Sequence, residues 1–324
     1  MRIAINCRIV NKRHGGPRRF LLNIIKTLAS IDKKNEYFLV LDKKTEFSFK
    51  LPRNFHLRIL STSSRILFEY IYFPRYIIRT NPDITLFPDP AFAPYIPGYK
   101  ITIIHDIIYF EKDHKREFKF LENYHHKLMI PICTRLADVN LCVSRFTQDR
   151  VKKLLNCKNT NVIYEGVENS FQRIQDENKI NETLKRYQIK KPFIFYIGSL
   201  SPRKNIKRLL NGYMKIKSKV PHRLYLIVGY SWCDHTIENI ISNDKSTKIK
   251  KVGFVAEKDL PAIYSAATAL VYPSLYEGFG LPILEAQACG CPVLTSNRGA
   301  TKEISRESAL LINPLSSSEI AEGI

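Results

Sequence analysis

Glu277 and Glu285 stand eight positions apart in Tyr276-Glu277-Gly278-Phe279-Gly280-Leu281-Pro282-Ile283-Leu284-Glu285-Ala286, on either side of a glycine-flanked loop that opens a helix. Carboxylates accept hydrogen bonds from hydroxyl groups, so this pair suits a sugar or a ribose. Gly278 and Gly280 let a ligand come close to the main chain. The amides of a helix start carry partial positive charge and suit a phosphate. Hydroxyls and phosphates in one ligand describe a nucleotide sugar. Phe279, Leu281, Pro282 and Ile283 would pack a surface loop badly and line a pocket well, which separates these glutamates from ordinary surface acids.

A second group of candidates follows apolar runs that read as strands. Arg203 and Lys204 come after Phe193–Ile197 and the turn at Gly198. In an open α/β sheet such a position opens into the ligand crevice. Two cations there would neutralise a diphosphate as charge builds on it; Lys207 and Arg208 nearby leave open a solvated basic loop. His105 follows Ile101–Ile104 directly, where it serves either a ligand or the local structure. Asp106 either fixes its tautomer or caps the turn. Gly15 and Gly16 lie between a first strand and a first helix, with Lys12, Arg13, Arg18 and Arg19 around them. They form either a plain loop or a close backbone approach to phosphate or acceptor; a lone glycine pair falls short of the dinucleotide fingerprint.

These residues need a scaffold that brings strand ends together. Apolar runs at Ile3–Ile5, Tyr37–Leu41, Ile84–Phe87, Ile101–Ile104 and Val139–Val143 alternate with helical patterns at Phe20–Ala29, Ile66–Ile78, Phe118–Leu136 and Thr147–Leu155. Such alternation predicts a doubly wound parallel sheet over residues 1–170. Residues 171–190 are polar and read as a linker with a flanking helix. Over residues 191–324 a second α/β series is expected, with strands at Phe193–Ile197, Tyr225–Val228, Ile249–Val252, Ala269–Tyr272 and Pro292–Thr295. Its helices are expected at Ile206–Lys217, Lys258–Ala266 and Ile283–Ala288, with a last one from Ser318 to Ile324.

In the order of its motifs the chain resembles the retaining glycosyltransferases of family 4, the group 1 family with the GT-B fold. Glu277 and Glu285 match that family's pair of glutamates. Phe195-Tyr196-Ile197-Gly198-Ser199-Leu200-Ser201-Pro202-Arg203-Lys204-Asn205 resembles its phosphate-binding strand and loop, and Val252-Gly253-Phe254-Val255 its base-binding turn. Ile103-Ile104-His105-Asp106 is similar to its His-Asp motif, and Gly15-Gly16 to its first glycine-rich loop.

The resemblance implies two Rossmann-like domains facing across a cleft, the first binding an acceptor and the second a nucleotide sugar. It implies that Glu277 contacts the donor sugar, that Glu285 holds the ribose and that Gly278, Phe279, Gly280 and Leu281 meet sugar and phosphates. It assigns Gly198, Gly253 and Phe254 to the donor and places His105 near the anomeric centre. The Tyr-Pro-Ser-Leu-Tyr-Glu-Gly-Phe-Gly context resembles the mannosyltransferase-like branch of bacterial surface-polysaccharide synthesis, with GDP-mannose as expected donor and a saccharide or lipid-linked acceptor. Similar enzymes continue past the position of Ile324 with a helix that crosses back, so the C-terminal domain is expected to be incomplete. That keeps an inactive truncated relative open, beside a nucleotide-sugar epimerase of the same fold.

Composition bounds these readings. The 324 residues suffice for two full cores, and 44% hydrophobic with 25% charged residues is ordinary for a globular chain. The net charge of +21, spread over both halves, is not ordinary. It suits contact with anionic lipid, or is a plain compositional bias. A basic nucleic-acid binder would show zinc-finger spacing, an RNP-like segment or a recognition helix; none is found, and no nucleic-acid partner is expected. Helix Phe118–Leu136, with Lys115, Arg116, Lys119 and Lys127 near aromatics, is either a core helix or one that lies on a membrane.

No D-x-D occurs, so Arg203 and Lys204 are expected to replace a metal and no cofactor is expected. The seven scattered cysteines lack a C-x-x-C pair and read as buried thiols. Without a signal peptide or membrane span, the expected place is the cytoplasm, peripherally at the inner membrane face.

Overall fold

The computed structural model of the chain describes all residues except 12–14, 46, 48, 91, 112–119 and 230–234; of His235 it describes the backbone only. The chain divides into two compact units, Met1–Glu165 and Gly166–Ile324.

Unit 1 carries a seven-stranded sheet in the order β3-β2-β1-β4-β5-β6-β7. Its strands are β1 (Arg2–Asn6), β2 (Glu36–Leu41), β3 (Phe55–Ile59), β4 (Ile84–Phe87), β5 (Tyr99–Ile104), β6 (Val139–Cys142) and β7 (Thr160–Val162), and every neighbouring pair runs parallel. The helices are α1 (Gly16–Ile31), α2 (Arg65–Leu67), α3 (Phe73–Thr80), α4 (Phe120–Leu136) and α5 (Arg145–Leu155). A π-helical segment, Phe68–Tyr72, joins α2 to α3. Parallel strands buried on both faces need continuous apolar side chains, and β2 supplies them: Tyr37 to Leu41 are all buried. Ser64 and Ser144 start α2 and α5 by accepting the amides of Leu67 and Thr147.

Unit 2 carries a six-stranded parallel sheet in the order β10-β9-β8-β11-β12-β13. The strands are β8 (Phe193–Ile197), β9 (Arg223–Ile227), β10 (Ile249–Val252), β11 (Ala269–Tyr272), β12 (Val293–Ser296) and β13 (Leu310–Ile312). The helices are α6 (Glu177–Arg186), α7 (Ile206–Ile216), α8 (His235–Ser242), α9 (Leu260–Ala266), α10 (Leu281–Ala288), α11 (Gly299–Ser305) and α12 (Ser317–Gly323).

Residues 171–190, expected as a linker with a flanking helix, contain the helix α6 and pack into unit 2: Phe171, Ile180, Leu184 and Ile189 are buried in its core. Asp176 caps α6 by accepting the amides of Asn178 and Lys179, and one apolar face of this polar helix suffices to dock it. The first unit therefore ends at Glu165 rather than near 170. Phe118 and Lys119, expected to open α4, lie outside the described residues, as do Lys115 and Arg116 and, in the first loop, Lys12 and Arg13.

Candidate active site

Each sheet reverses its strand order once, between β1 and β4 in unit 1 and between β8 and β11 in unit 2. Loops leaving two such strands diverge and open a crevice at their carboxyl ends. In unit 2 the loops after β8 and β11 hold the residues singled out by their chemistry. After β8 the backbone turns at Gly198, whose φ of 147° lies in the region that favours glycine. The Tyr196 hydroxyl donates to the Ser199 carbonyl at 2.7 Å and so fills the space beside that glycine. A Cβ on Gly198 would stand 2.5 Å from this hydroxyl oxygen. Gly198→Ala should therefore cost roughly 1–3 kcal/mol in a urea melt. Adding Tyr196→Phe should recover part of the loss; an unchanged melt for the single variant would refute this account of the turn.

A 3-10 turn at Pro202–Lys204 then presents Arg203 and Lys204. Asn205 closes it in the left-handed conformation and donates to the carbonyls of Pro273 and Pro314, at 2.9 and 2.6 Å. The amide of Leu275 donates to the Arg203 carbonyl at 2.7 Å, which clamps the two loops together.

Glu277, from the loop after β11, lies buried between the two cations. Arg203 Nη1 donates to Glu277 Oε2 at 3.0 Å, and Lys204 Nζ donates to Glu277 Oε1 and to the Tyr272 hydroxyl, the latter at 2.7 Å. Tyr272, the last residue of β11, itself donates to Glu277 Oε1 at 2.8 Å, and its ring stacks on Tyr196 with centroids 6.0 Å apart. Burial pushes the Glu277 carboxyl up, but the charges of Lys204 and Arg203 and the lysine hydrogen bond prevail and hold it at about 2. Two cations against one carboxylate leave a single net positive charge at the switch point.

The loop runs on through Gly278 and Phe279 to Gly280, whose φ of 115° sets the start of α10. Phe279 and Leu281 are buried. Glu285 sits on α10 with only 1% of its surface exposed, and the Tyr264 hydroxyl of α9 donates to it at 2.8 Å. The structure thus brings Arg203, Lys204 and Glu277 together and sets Glu285 inward, against α9. Gly253 and the exposed Phe254 follow β10.

In unit 1, Gly15 caps α1 and Gly16 opens it, after the end of β1. Arg18 donates from Nε to the Val10 carbonyl at 3.0 Å, so the loop itself uses this cation. His105 follows β5. Its Nδ1 meets Glu165 Oε1 at 3.2 Å, and the Phe20 ring stands edge-on with centroids 5.2 Å apart. Asp106 accepts the amide of Ile108 at 3.2 Å and so caps the turn. Sequence reasoning missed Glu165 as the partner of the imidazole: it is 60 positions from His105. Among the described residues no hydrogen-bond partner meets the buried His105 Nε2.

Sequence reasoning also passed over a small cavity at the unit 1 switch point, of about 30 Å³, lined by Asn6, Arg8, Arg65, Glu69, Pro88 and Asp89. Burial pushes the Glu69 carboxyl up to about 7, against the hydrogen bond that Asn6 donates. Among the described residues no group of three or more His, Cys, Asp or Glu is placed to hold a metal ion.

Residues 179–324, which contain every candidate site residue of unit 2, match the family model described as glycosyl transferases group 1. The chain carries a group 1 glycosyl transferase domain. The chain is 33% identical over 224 residues to the O-antigen chain mannosyltransferase B of Escherichia coli, an alignment covering 66% of this chain and 57% of that one. To the O-antigen chain mannosyltransferase RfbU of Salmonella typhimurium it is 28% identical over 201 residues, 60% of this chain and 52% of that one. The chain thus spans little more than half the length of these relatives.

Among solved structures, the chain matches Anabaena Alr3699/HepE in complex with UDP and glucose, with a TM-score of 0.76 and 18% identity over 99% of this chain and 88% of that one. It matches WaaG, a glycosyltransferase involved in lipopolysaccharide biosynthesis, with a TM-score of 0.74 and 16% identity over 100% and 89%. The two parallel-sheet units are those of the GT-B glycosyltransferase fold.

Proposed function

We propose that this transferase moves a hexose from a nucleotide diphosphate sugar to a hydroxyl of a saccharide or lipid-linked acceptor, with retention of anomeric configuration, in the synthesis of a surface polysaccharide. The observation that carries the reading is the Arg203–Lys204–Glu277 cluster at the unit 2 switch point. The bond between the anomeric carbon and the diphosphate oxygen breaks, and the acceptor oxygen bonds to that carbon. Charge accumulates on the departing diphosphate, where the net positive charge of the cluster and the amides at the start of α10 stabilise it. The departing phosphate takes the acceptor proton. In this reading Arg203 and Lys204 do the work that a divalent metal does elsewhere, so transfer proceeds without one.

By family resemblance, Glu277 touches the donor sugar, Glu285 serves the ribose, and Gly198, Gly253, Phe254 and Gly278 to Leu281 frame the nucleotide. His105 hydrogen-bonds the sugar near its anomeric centre. Gly15 and Gly16 serve the acceptor or its phosphate. The names of the two relatives favour mannose, from GDP-mannose, and the basic chain is placed peripherally at the inner, cytoplasmic face of the membrane.

A thermal-shift panel of GDP, UDP, dTDP and ADP with their sugars, run in EDTA, tests this reading. A nucleotide at about 100 times its dissociation constant adds roughly 2.7 kcal/mol of stability. GDP and GDP-mannose are expected to raise the melting midpoint by several degrees. A shift with UDP alone would reassign the donor, and no shift with any nucleotide would overturn the donor site. Transfer that EDTA abolishes and Mn²⁺ restores would overturn metal independence.

A further inference from the structure

The turn after β10, residues 253–256, stands at the same edge of the unit 2 sheet as Arg203, Lys204 and Glu277, because parallel strands present their carboxyl ends together. The order β10-β9-β8 sets it two strand spacings, about 10 Å, from the loop after β8. That is the reach from the diphosphate of a nucleotide to its base. A Cβ on Gly253 would meet no described atom within 4 Å, and Gly253 is not among the glycines with positive φ. Neither packing nor backbone geometry asks for glycine there, and open space lies over its main chain. Phe254 beside it is exposed, while Val255 is buried and pins the turn from below.

One buried side chain fixes a point and not a direction. The second fixing comes from the end of α6. The Ala256 amide donates to the Tyr187 hydroxyl at 3.1 Å, and that hydroxyl donates to Asp259 Oδ2 at 2.8 Å. Arg186 Nη1 donates to the same oxygen at 2.8 Å. The Asp259 amide in turn donates to the Ala256 carbonyl at 2.9 Å, so Ala256 is held by both of its main-chain groups. Asp259 stands at the start of α9, where an aspartate ordinarily caps the helix. It makes no such cap: its buried carboxylate goes to Arg186 and Tyr187 instead. Further along α9, Tyr264 donates to Glu285. One short helix thus ties the turn to the glutamate assigned to the ribose.

We infer that Tyr187, oriented by Asp259 and Arg186, is a positioning residue for the nucleotide base: its hydroxyl holds the 253–256 turn in the shape that receives the base. The inference rests on the donor site proposed above. Tyr187 acts through the main chain of the turn and not by touching the ligand. A turn released from this latch samples several shapes, and a ligand that needs one of them binds more weakly in proportion to the time that shape is present. The loss falls only on ligands that carry a base.

Calorimetry in EDTA tests it, with GDP, or the nucleotide that the panel above selects in its place, and with inorganic pyrophosphate. Tyr187→Phe keeps the ring and removes the hydroxyl. It is expected to raise the dissociation constant of the nucleotide about tenfold, the scale of one lost hydrogen bond. The dissociation constant of pyrophosphate, which needs only Arg203 and Lys204, should stay as it is. A tyrosine that merely supports the fold would move both constants together or neither. Asp259→Asn keeps the shape without the charge and should give a smaller loss of the same base-dependent kind. It serves where Tyr187→Phe does not fold, and in the double variant the two losses should not add. Wild-type nucleotide affinity in the folded variants, or pyrophosphate weakened by the same factor as the nucleotide, would overturn the inference and leave the donor site standing. A wild-type chain that binds no nucleotide would overturn the donor site itself, and this inference with it.

Discussion

Lys204→Met is expected to lower glycosyl transfer about 100- to 1,000-fold, the effect of removing one preorganised charge from a developing anion. The same change leaves the buried Glu277 carboxylate with a missing partner, so the fold should lose roughly 3–5 kcal/mol as well. The two effects separate in a double variant. Lys204→Met with Glu277→Leu removes both charges, and replacing a buried ion pair by apolar groups is often close to neutral for stability. The double variant should therefore melt near the wild-type temperature and remain inactive. Recovery of activity along with stability would show that the lysine only holds the loop. Nucleotide affinity, read by calorimetry, should fall in both variants.

The pH dependence carries the same signature. Glu277 is held at about 2, below its ordinary value of 4.5. A carboxylate with a depressed value contributes stability that is present above the ordinary value and is lost as pH falls towards the folded one. In wild type that loss runs from about 4.5 down to about 2. In Lys204→Met the upward push of burial no longer faces the lysine, the largest of the opposing influences, so the loss should begin at higher pH. Melting curves between pH 3 and pH 7 would show it, and curves that superimpose for the two proteins would refute the pairing.

The strands that bury both faces could be read directly from the sequence, because they need unbroken apolar runs. Ile84–Phe87, Phe193–Ile197, Ile249–Val252 and Ala269–Tyr272 coincide with β4, β8, β10 and β11. β3 was not legible: it lies at the sheet edge, and His56 and Arg58 interrupt its apolar pattern. β7 and β13, three residues each, are too short to show a period.

The site was legible as a set of residues and not as a set of partnerships. Arg203, Lys204 and Glu277 could be picked out by type and by the motifs around them. That Tyr272 and Glu277 would hold Lys204 could not, since 68 and 73 positions separate them from it and only the pairing of β8 with β11 brings them together. That the polar segment at 171–190 packs into the core of unit 2 was not legible for a related reason. Its buried residues are too sparse to outweigh a run of charges until a packed neighbour is visible.

Glu165→Ala is expected to lower kcat about 100-fold while leaving the dissociation constant for the nucleotide unchanged. Glu165 touches neither donor nor acceptor in this reading. It meets His105 Nδ1 at 3.2 Å while Phe20 blocks the ring edge-on, so the imidazole is held in one orientation with Nε2 as the nitrogen left to turn towards a ligand. Releasing that ring displaces the hydrogen bond it would give to the sugar, and a displacement of about 1 Å can cost some 100-fold. A residue that acts only through another shows no effect once the other is gone, so His105→Ala and the double variant should be equally slow. Glu165→Gln keeps the shape but can donate to Nδ1, which changes the hydrogen that Nε2 carries. Its pH–rate profile should therefore shift relative to wild type, a change that a merely structural carboxylate would not cause. Additive losses in the double variant, or wild-type kcat in Glu165→Ala, would remove Glu165 from the reaction and leave Asp106 as the histidine's nearest acid in sequence.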